Sequence, residues 1–192
     1  ADEIWSDLIL KGSQHIPTQS ISPDARNRTI ALYAPSKTFN LAGLVGSYHI
    51  IFNKMLRDRV EAKSRKSHYN TMNVLSMHAL IGAYEAEGYT WVNELCQVLS
   101  ENVDYAVNHI RDYYRGIEVS KPQGTYMLFL DCEDWCEENY KSLDELLKAG
   151  WDVGVAWQDG RPFHQKYGIR MNLALPLGRV KEAFERLDEY VF

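Results

Sequence analysis

The sequence predicts a mixed α/β fold in which two α/β regions are joined by one long helix. Three observations support this prediction: short β-rich runs that end at proline or glycine, helical spacing of apolar residues over 53–86 and 90–114, and a return to strand patterns after Gly116. The chain has 192 residues, of which 45% are hydrophobic and 24% are charged. These values are typical of globular proteins and exclude disorder and fibrous repeats.

The first region is predicted to begin with strands of a sheet. Residues 4–10 are expected to be the end of a strand that runs into a loop, and residues 12–27, rich in Ser, Pro, Gln and Asp, continue that loop. Residues 28–34 predict a buried strand that stops at Pro35, and residues 41–51 predict a second strand entered through a tight turn. So few strands make only part of a parallel sheet, so the chain is expected to be the second half of a longer protein.

Helical patterns dominate the middle of the chain. Over 53–86 the apolar side chains recur at spacings of three and four, which predicts helix. A longer amphipathic helix is predicted over 90–114, with Gly116 placed to end it. The boundary between the two regions is therefore expected within this long helix.

The second region is predicted to alternate short strands and helices. Strands are expected over 117–131, 151–157 and 167–176. Helices are expected over 141–150 and, with an amphipathic pattern, over 178–192.

Charge and cysteine content limit the classes of partner. The 21 basic and 26 acidic residues give a net charge of -5, which offers no basic surface for nucleic acid or an anionic membrane, so a small molecule is the expected partner. No run of about 18 apolar residues occurs, and the first residues lack a basic stretch, so a soluble, cytoplasmic protein is expected. The three cysteines (Cys96, Cys132 and Cys136) favour free thiols over a disulfide framework and show no metal-ligand pattern.

Lys37 has the most unusual local context in the chain. It follows a predicted strand, stands between Ser36 and Thr38, and precedes an apolar stretch that contains glycine. Partial desolvation there favours the neutral amine, which can attack a carbonyl and form a Schiff base. The hydroxyl and backbone N–H groups beside it suit a phosphate. From local context alone, an ordinary surface-loop lysine is the simpler interpretation.

Several motifs resemble those of one enzyme superfamily. The segment APSKTFNLAGL at 34–44 resembles the cofactor-lysine signature of pyridoxal-phosphate-dependent enzymes of the class I/II aminotransferase superfamily, which have fold type I. The residue sequence of this segment is most similar to that of the cystathionine β-lyase (C-S lyase) branch. Four further segments are similar to motifs of the superfamily in order and spacing: DEIWSDL at 2–8, His15-x-Pro17, GTYMLFLD at 124–131 and GIRMNLALP at 168–176. Together these motifs span essentially the whole chain.

The resemblance implies a domain organisation and a set of partners. It implies the C-terminal part of a fold type I enzyme, with the end of the large cofactor-binding domain over 1–90, an interdomain helix over 91–115 and a small domain over 116–192. It further implies a homodimer that binds pyridoxal 5′-phosphate and a small amino-acid substrate.

Four residues take roles from the resemblance. Lys37 is implied to bond covalently to pyridoxal phosphate, Asp2 to pair with the pyridine nitrogen and keep it protonated, and Ser36 to bind the phosphate. Arg170 is implied to grip the substrate α-carboxylate, which its planar guanidinium fork suits. The structural alternatives are a strand-end surface acid at position 2, a loop-capping hydroxyl at 36 and an internal salt bridge at 170.

Two positions and the length depart from the superfamily's pattern. Position 5 is Trp, where related aminotransferases usually carry Tyr and the lyase branch often carries His, so a hydrogen bond from this side chain to the cofactor oxygen is expected to be weakened or lost. Val45 stands where many aminotransferases place an Arg on the phosphate, and the lyase branch commonly lacks that Arg. Because such enzymes are about twice as long, this chain is expected to supply only part of the cofactor pocket.

The resemblance implies a lyase that cleaves cysteine conjugates such as cystathionine to pyruvate, ammonia and a thiol. An aminotransferase that uses the same residues is the alternative. A third interpretation is an inactive fragment or a binding module that reuses the fold.

Overall fold

The computed structural model describes residues 1–67 and 71–192, which divide into an N-terminal unit, Ala1–Leu95, and a C-terminal unit, Cys96–Phe192. The helices are α1 (Pro23–Arg28), α2 (Pro35–Thr38), α3 (Lys54–Ser67), α4 (Val74–Ala83), α5 (Ala86–Tyr113), α6 (Glu133–Glu138), α7 (Leu143–Asp152) and α8 (Leu177–Tyr190). The strands are β1 (Ala31–Tyr33), β2 (Tyr48–Ile50), β3 (Glu118–Val119), β4 (Met127–Asp131), β5 (Gln158–Asp159) and β6 (Gly168–Asn172). The predicted α/β class is confirmed.

A small sheet organises the start of the N-terminal unit. Strands β1 and β2 are antiparallel, and Leu32 lies opposite His49. On the other side of β1, the segment at Asp2 runs parallel to it, with 2.9 Å hydrogen bonds from the Glu3 N–H to the Leu32 carbonyl and from the Leu32 N–H to the Ala1 carbonyl. Because the two segments run in the same direction, the loops that follow them emerge at the same edge of the sheet.

The strands of this unit are shorter than the sequence predicts. Residues 28–34 form a strand only over β1, because α1 extends to Arg28. Residues 41–51 form a strand only over β2, since turns and coil occupy 41–47. The expected burial is also wrong in part: within β1, Ala31 is fully buried but the Leu32 side chain is 46% exposed.

The predicted loop over 12–27 contains local structure that the sequence analysis missed. A 3-10 turn covers Thr18–Ser20, and α1 follows it. The Ser22 hydroxyl caps α1 by accepting a hydrogen bond from the Ala25 N–H at 3.0 Å, which satisfies one of the free N–H groups at the helix start.

Helices α3 and α4 confirm most of the helical prediction over 53–86. Residues 71–73 are coil, 84–85 form a turn and a bend, and 68–70 lie outside the described residues. Asn73 caps α4 by accepting a hydrogen bond from the Ser76 N–H at 2.9 Å. Although α4 is rich in apolar residues, Ser76 is its buried residue. Four large apolar side chains of α4 are at least 43% exposed: Val74, Leu75, Met77 and Ile81.

The long helix α5 begins four residues before the predicted start and ends one before the predicted end. The division between the two units falls inside α5, between Leu95 and Cys96. Beyond that point one side of α5 enters the core of the C-terminal unit through Leu99, Val103, Ala106, Val107 and Ile110, each at most 1% exposed. Gly116 follows the helix with a φ of 75°, as the sequence predicts for its end.

Four antiparallel strands in the order β3-β4-β6-β5 form the sheet of the C-terminal unit. Along β4 and β6, side chains alternate between a buried and a more exposed face. The buried residues of the sheet and of α7 and α8 supply the core of this unit: Leu128, Leu130, Ile169, Met171, Leu146, Leu147, Val180, Phe184 and Leu187.

Two elements of this unit differ from the prediction. Helix α6 was not expected, and the strand predicted over 151–157 is displaced to β5 at Gln158–Asp159. Helix α7 matches its prediction because Ser142 and Glu145 form a capping box: the Ser142 hydroxyl accepts from the Glu145 N–H, and the Glu145 carboxylate accepts from the Ser142 N–H.

Asn102 fixes the chain segment that follows β6. This side chain of α5 is fully buried, and its Nδ2 group donates hydrogen bonds of 2.8 Å to the carbonyls of Leu173 and Leu175. Its Oδ1 atom is also buried and has no donor among the described residues. Within residues 1–67 and 71–192, no helix combines the length and apolar character needed to cross a bilayer.

Candidate functional site

Lys37 lies in α2, the single helical turn that follows β1. Proline at position 35 begins this turn, and the Phe39 N–H donates to the Pro35 carbonyl at 2.9 Å to close it. The Lys37 side chain is half-buried, and its Nζ atom lies 5.6 Å from the centre of the Trp5 ring, within the range of a cation–π contact. Among the described residues, no carboxylate forms an ion pair with this amine.

A buried hydrogen bond joins the turn at Lys37 to the loop that follows Asp2. The Thr38 side chain is fully buried, and its Oγ1 donates to Oδ2 of Asp7 at 3.0 Å. The Thr38 hydroxyl therefore has a structural partner, which differs from the phosphate-binding use that the sequence suggested. The Trp5 contact and this hydrogen bond bring the DEIWSDL and APSKTFN segments together.

Glu3 connects the start of the same loop to residues 15–18. Its carboxylate is buried, with 6% of the residue exposed, and accepts from the Thr18 N–H at 2.9 Å and contacts His15 Nε2 at 2.5 Å. Burial raises the pKa of Glu3, but the hydrogen bonds from Thr18 and His15 outweigh it and hold that pKa below its ordinary value. The sequence analysis missed this residue, although the His15-x-Pro17 motif was the signal for it.

Asp2 and Ser36 differ from these anchors because neither side chain is held by a hydrogen bond to a distant part of the chain. The Asp2 side chain is exposed, and it accepts a 3.3 Å hydrogen bond from the Ile4 N–H but pairs with no cation of the described residues. Ser36 is half-buried, and no described group bonds to its hydroxyl. The Lys37 amine, the Asp2 carboxylate and the Ser36 hydroxyl therefore remain available to a ligand. Asp2 lies in the parallel bridge with Leu32, and Ser36 and Lys37 follow β1 in the chain.

Arg170 belongs to the C-terminal unit. It lies in the middle of β6, where its cross-strand neighbours are Phe129 on β4 and Gln158 on β5. Its guanidinium carbon lies 4.0 Å from the centre of the Phe163 ring. In the part of the chain that the structure describes, Arg170 forms no ion pair, so the internal salt bridge considered for it is not found there.

The cysteines lack the features of a reactive or metal-binding site. Among the described residues the three cysteines form no disulfide, and burial raises the pKa of the thiols of Cys132 and Cys136, which keeps them protonated at neutral pH. Residues 1–67 and 71–192 contain no group of three or more His, Cys, Asp or Glu side chains placed to hold a metal ion.

The sequence is similar to enzymes with two kinds of activity. Cystathionine β-lyase PatB from Bacillus subtilis (strain 168) is 28% identical over 193 residues, which cover 97% of this chain and 48% of that protein. An aspartate aminotransferase from Bacillus sp. (strain YM-2) is 26% identical over 195 residues, which cover 100% of this chain and 48% of that protein. The chain thus spans about half the length of the curated relatives it matches. No family model matches the sequence.

The fold of the chain is also similar to that of a solved enzyme structure. The crystal structure of cystalysin from Treponema denticola, which contains a pyridoxal 5′-phosphate cofactor, superimposes with a TM-score of 0.86 at 27% identity, covering 98% of this chain and 47% of that one. The likeness extends over nearly all of this chain and less than half of that enzyme, as expected for its C-terminal half. The chain is therefore similar, over nearly its whole length, to the C-terminal half of pyridoxal-phosphate-dependent enzymes of the fold type I superfamily.

Proposed function

We propose that the chain is the lysine-bearing part of a pyridoxal-phosphate-dependent C-S lyase that converts cysteine conjugates such as cystathionine to pyruvate, ammonia and a thiol. The observation that supports this proposal is that three polar groups in the segments around β1 have no ion pair and no long-range hydrogen bond among the described residues: the Lys37 amine, the Asp2 carboxylate and the Ser36 hydroxyl. The neighbouring polar residues Glu3 and Thr38 are, in contrast, engaged in internal hydrogen bonds.

These three groups fit the polar ends of pyridoxal phosphate. An amine is needed for its aldehyde, a carboxylate for its pyridine nitrogen, and hydroxyl or N–H donors for its phosphate. Lys37, Asp2 and Ser36 supply one of each. When bound, the cofactor withdraws electrons from the substrate Cα and so makes the Cα–H bond acidic.

Each of the chain's own residues then has a defined task. Lys37 in its neutral form accepts the proton from the substrate Cα as a general base. Asp2 holds the pyridine nitrogen in its protonated form. Arg170 binds the substrate α-carboxylate through its two parallel N–H donors and so orients the Cα–H bond.

The reaction balances without an oxidant or a reductant. The proton from Cα moves to the Lys37 amine, and the Cβ–S bond breaks with its electron pair leaving on sulfur. The thiolate takes up a proton, and water hydrolyses the remaining three-carbon fragment to pyruvate and ammonia.

An aminotransferase is the second candidate, because the similarity includes an aspartate aminotransferase at 26% identity. Three features favour the lyase: the residue sequence of the segment around Lys37, Val45 in place of the phosphate-binding Arg of many aminotransferases, and the similarity to cystathionine β-lyase PatB. The proposal also includes a homodimer, as the resemblance implies, and a cytoplasmic location.

Cofactor attachment is the first test. We expect the protein to take up pyridoxal phosphate, to turn yellow, and to become irreversibly labelled at Lys37 on borohydride reduction. A Lys37→Ala variant should lose the label, whereas Lys54→Ala, which changes an exposed lysine paired with Asp58, should retain it. A colourless protein without label supports the fragment or binding-module interpretation and contradicts the enzyme.

Product analysis separates the two activities. Cystathionine supplied without a 2-oxo acid should give pyruvate and a thiol if the protein is a lyase. Turnover that needs an added 2-oxo acid, and that transfers the amino group to it, would instead identify an aminotransferase.

A further inference from the structure

The exposed face of the C-terminal sheet carries an arginine among aromatic and neutral side chains. Directly paired residues of antiparallel strands share a face, so Arg170 shares its face with Phe129 and Gln158. Its sequence neighbours Ile169 and Met171 lie on the opposite, buried face, at 0% and 5% exposure. Arg170 is thus held between strands while its charged end reaches the more exposed face.

The guanidinium of Arg170 lies over an aromatic ring. Its central carbon is 4.0 Å from the centre of the Phe163 ring. The Phe129 ring meets Phe163 at a centroid distance of 6.4 Å and an interplanar angle of 81°, an edge-on arrangement. The ring attracts the positive charge of the guanidinium through a cation–π contact, and this contact leaves the N–H donors unoccupied.

Asp131, an acidic side chain on this face, is already engaged. Asp131 is two residues from Phe129 on β4, and its carboxylate accepts from the Gln165 side chain and from the Glu133 N–H. Because no described carboxylate pairs with Arg170, its donors remain available to an external acid.

Phe163 is held by its own turn rather than by the arginine. It ends a 3-10 turn, Arg161–Phe163, and the next residue, His164, has a left-handed φ of 66°. The start of the turn is fixed by hydrogen bonds from Arg161 Nε to the two oxygens of Asp159, at 3.0 and 2.9 Å. A 2.7 Å hydrogen bond from the Gly160 N–H to the Gly168 carbonyl ties the turn to β6 itself.

We propose that Phe163 is a positioning residue that holds the Arg170 guanidinium against its ring, so that the N–H fork is oriented for a substrate carboxylate before the substrate arrives. This inference rests on the carboxylate-binding role proposed for Arg170. An arginine side chain has several rotatable bonds, and fixing it in advance removes part of the ordering that binding would otherwise require. Phe163 itself is 52% exposed, so it has little other structural work to do.

The experiment measures carboxylate binding by the protein, with propionate as the probe and uncharged propionamide as the reference. The protein is labelled with 15N-arginine, and the Nε–H resonance of Arg170, assigned by its absence in Arg170→Gln, is followed during titration. We expect a saturable shift with propionate and none with propionamide.

A set of variants at matched positions makes the test specific. Phe163→Leu should weaken propionate binding about two- to five-fold, the range expected for loss of a partly exposed cation–π contact. Phe163→Tyr keeps the ring and should restore the affinity. Phe52→Leu removes a similar stack elsewhere, since Arg26 lies 3.9 Å from the Phe52 ring centre, and should leave propionate binding unchanged.

The catalysed reaction gives a second readout. In the cofactor-loaded protein, Phe163→Leu should raise the KM for the amino-acid substrate by the same factor and leave kcat unchanged, because the ring orients the arginine but does not touch the reacting atoms.

Two results would overturn the inference and are distinguishable. If propionate shifts the Arg170 Nε–H resonance with the same affinity in Phe163→Leu as in the unaltered protein, the role of Phe163 is wrong and that of Arg170 stands. If propionate leaves the Arg170 Nε–H resonance of the unaltered protein unshifted, or propionamide shifts it equally, the carboxylate-binding role of Arg170 fails, and the role of Phe163 fails with it.

Discussion

Replacing Asn102 by alanine is expected to destabilise the C-terminal unit by about 2 kcal/mol. The change removes two hydrogen bonds of 2.8 Å, to the carbonyls of Leu173 and Leu175, and each such bond contributes about 1 kcal/mol net. A small cavity adds to the loss, while removal of the buried Oδ1 atom, which has no described donor, offsets part of it. Urea unfolding followed by tryptophan fluorescence should therefore show a lower midpoint at an unchanged slope.

Two further variants define this prediction. Asn108 lies on the exposed side of the same helix, and Asn108→Ala should change the free energy of unfolding by less than about 0.5 kcal/mol. Asn102→Asp preserves the shape but places a carboxylate against two carbonyl oxygens, so it should be worse than alanine at neutral pH and improve as pH falls, because the protonated acid can donate again. An Asn102→Ala protein as stable as Asn108→Ala would refute the reasoning.

Three other perturbations test the N-terminal loop and the sheet. Because the pKa of Glu3 is lowered in the folded state, the ionised carboxylate stabilises the fold fully above the ordinary carboxyl pKa of 4.5, and this stabilisation is lost as the pH falls below that value. The Tm of Glu3→Gln should therefore fall less steeply in acid than the Tm of the unaltered protein. Parallel curves of Tm against pH would contradict this expectation. Thr38→Val should cost about 1 kcal/mol in thermal unfolding, whereas Thr38→Ser should retain the hydrogen bond; equal Tm values would count against it. Gly168→Ala should lower the free energy of unfolding in urea by about 1–3 kcal/mol, because the added Cβ would lie 2.8 Å from Phe129 Cε1. Gly178→Ala, whose Cβ would have no neighbouring atom within 4 Å, should lower it far less. Similar losses for the two variants would disprove the steric argument.

The elements that the sequence predicted well are those with strong local signals. Helix α5 carries a long apolar periodicity and ends before a glycine with positive φ, and α7 begins with a capping box. The segment over 41–51 was assigned as a strand because a short apolar run with two glycines does not distinguish a strand from a turn. Helix α6 was missed because six residues contain too few turns to show a helical period.

In the candidate site, too, residues within local motifs were proposed from the sequence, whereas contacts between separate segments were not. Lys37 was proposed from the motif around it, and Asp2 and Arg170 from motifs that lie in the same order along the chain. Contacts between positions distant in sequence were not predicted: Glu3 with His15, and Arg170 with Phe163. Such contacts depend on how the loops close in three dimensions, which periodicity and local propensity do not encode.

The character of α4 has a practical consequence for work with this polypeptide. Val74, Leu75, Met77 and Ile81 present hydrocarbon to solvent along a single helix, so water is ordered around side chains that would gain free energy by leaving it. Concentrated preparations should therefore self-associate more readily on warming, bind the dye ANS and respond to low levels of mild detergent. Replacing Leu75 and Ile81 with lysine and glutamate should improve solubility with little loss of helix, since both substitutes are good helix formers.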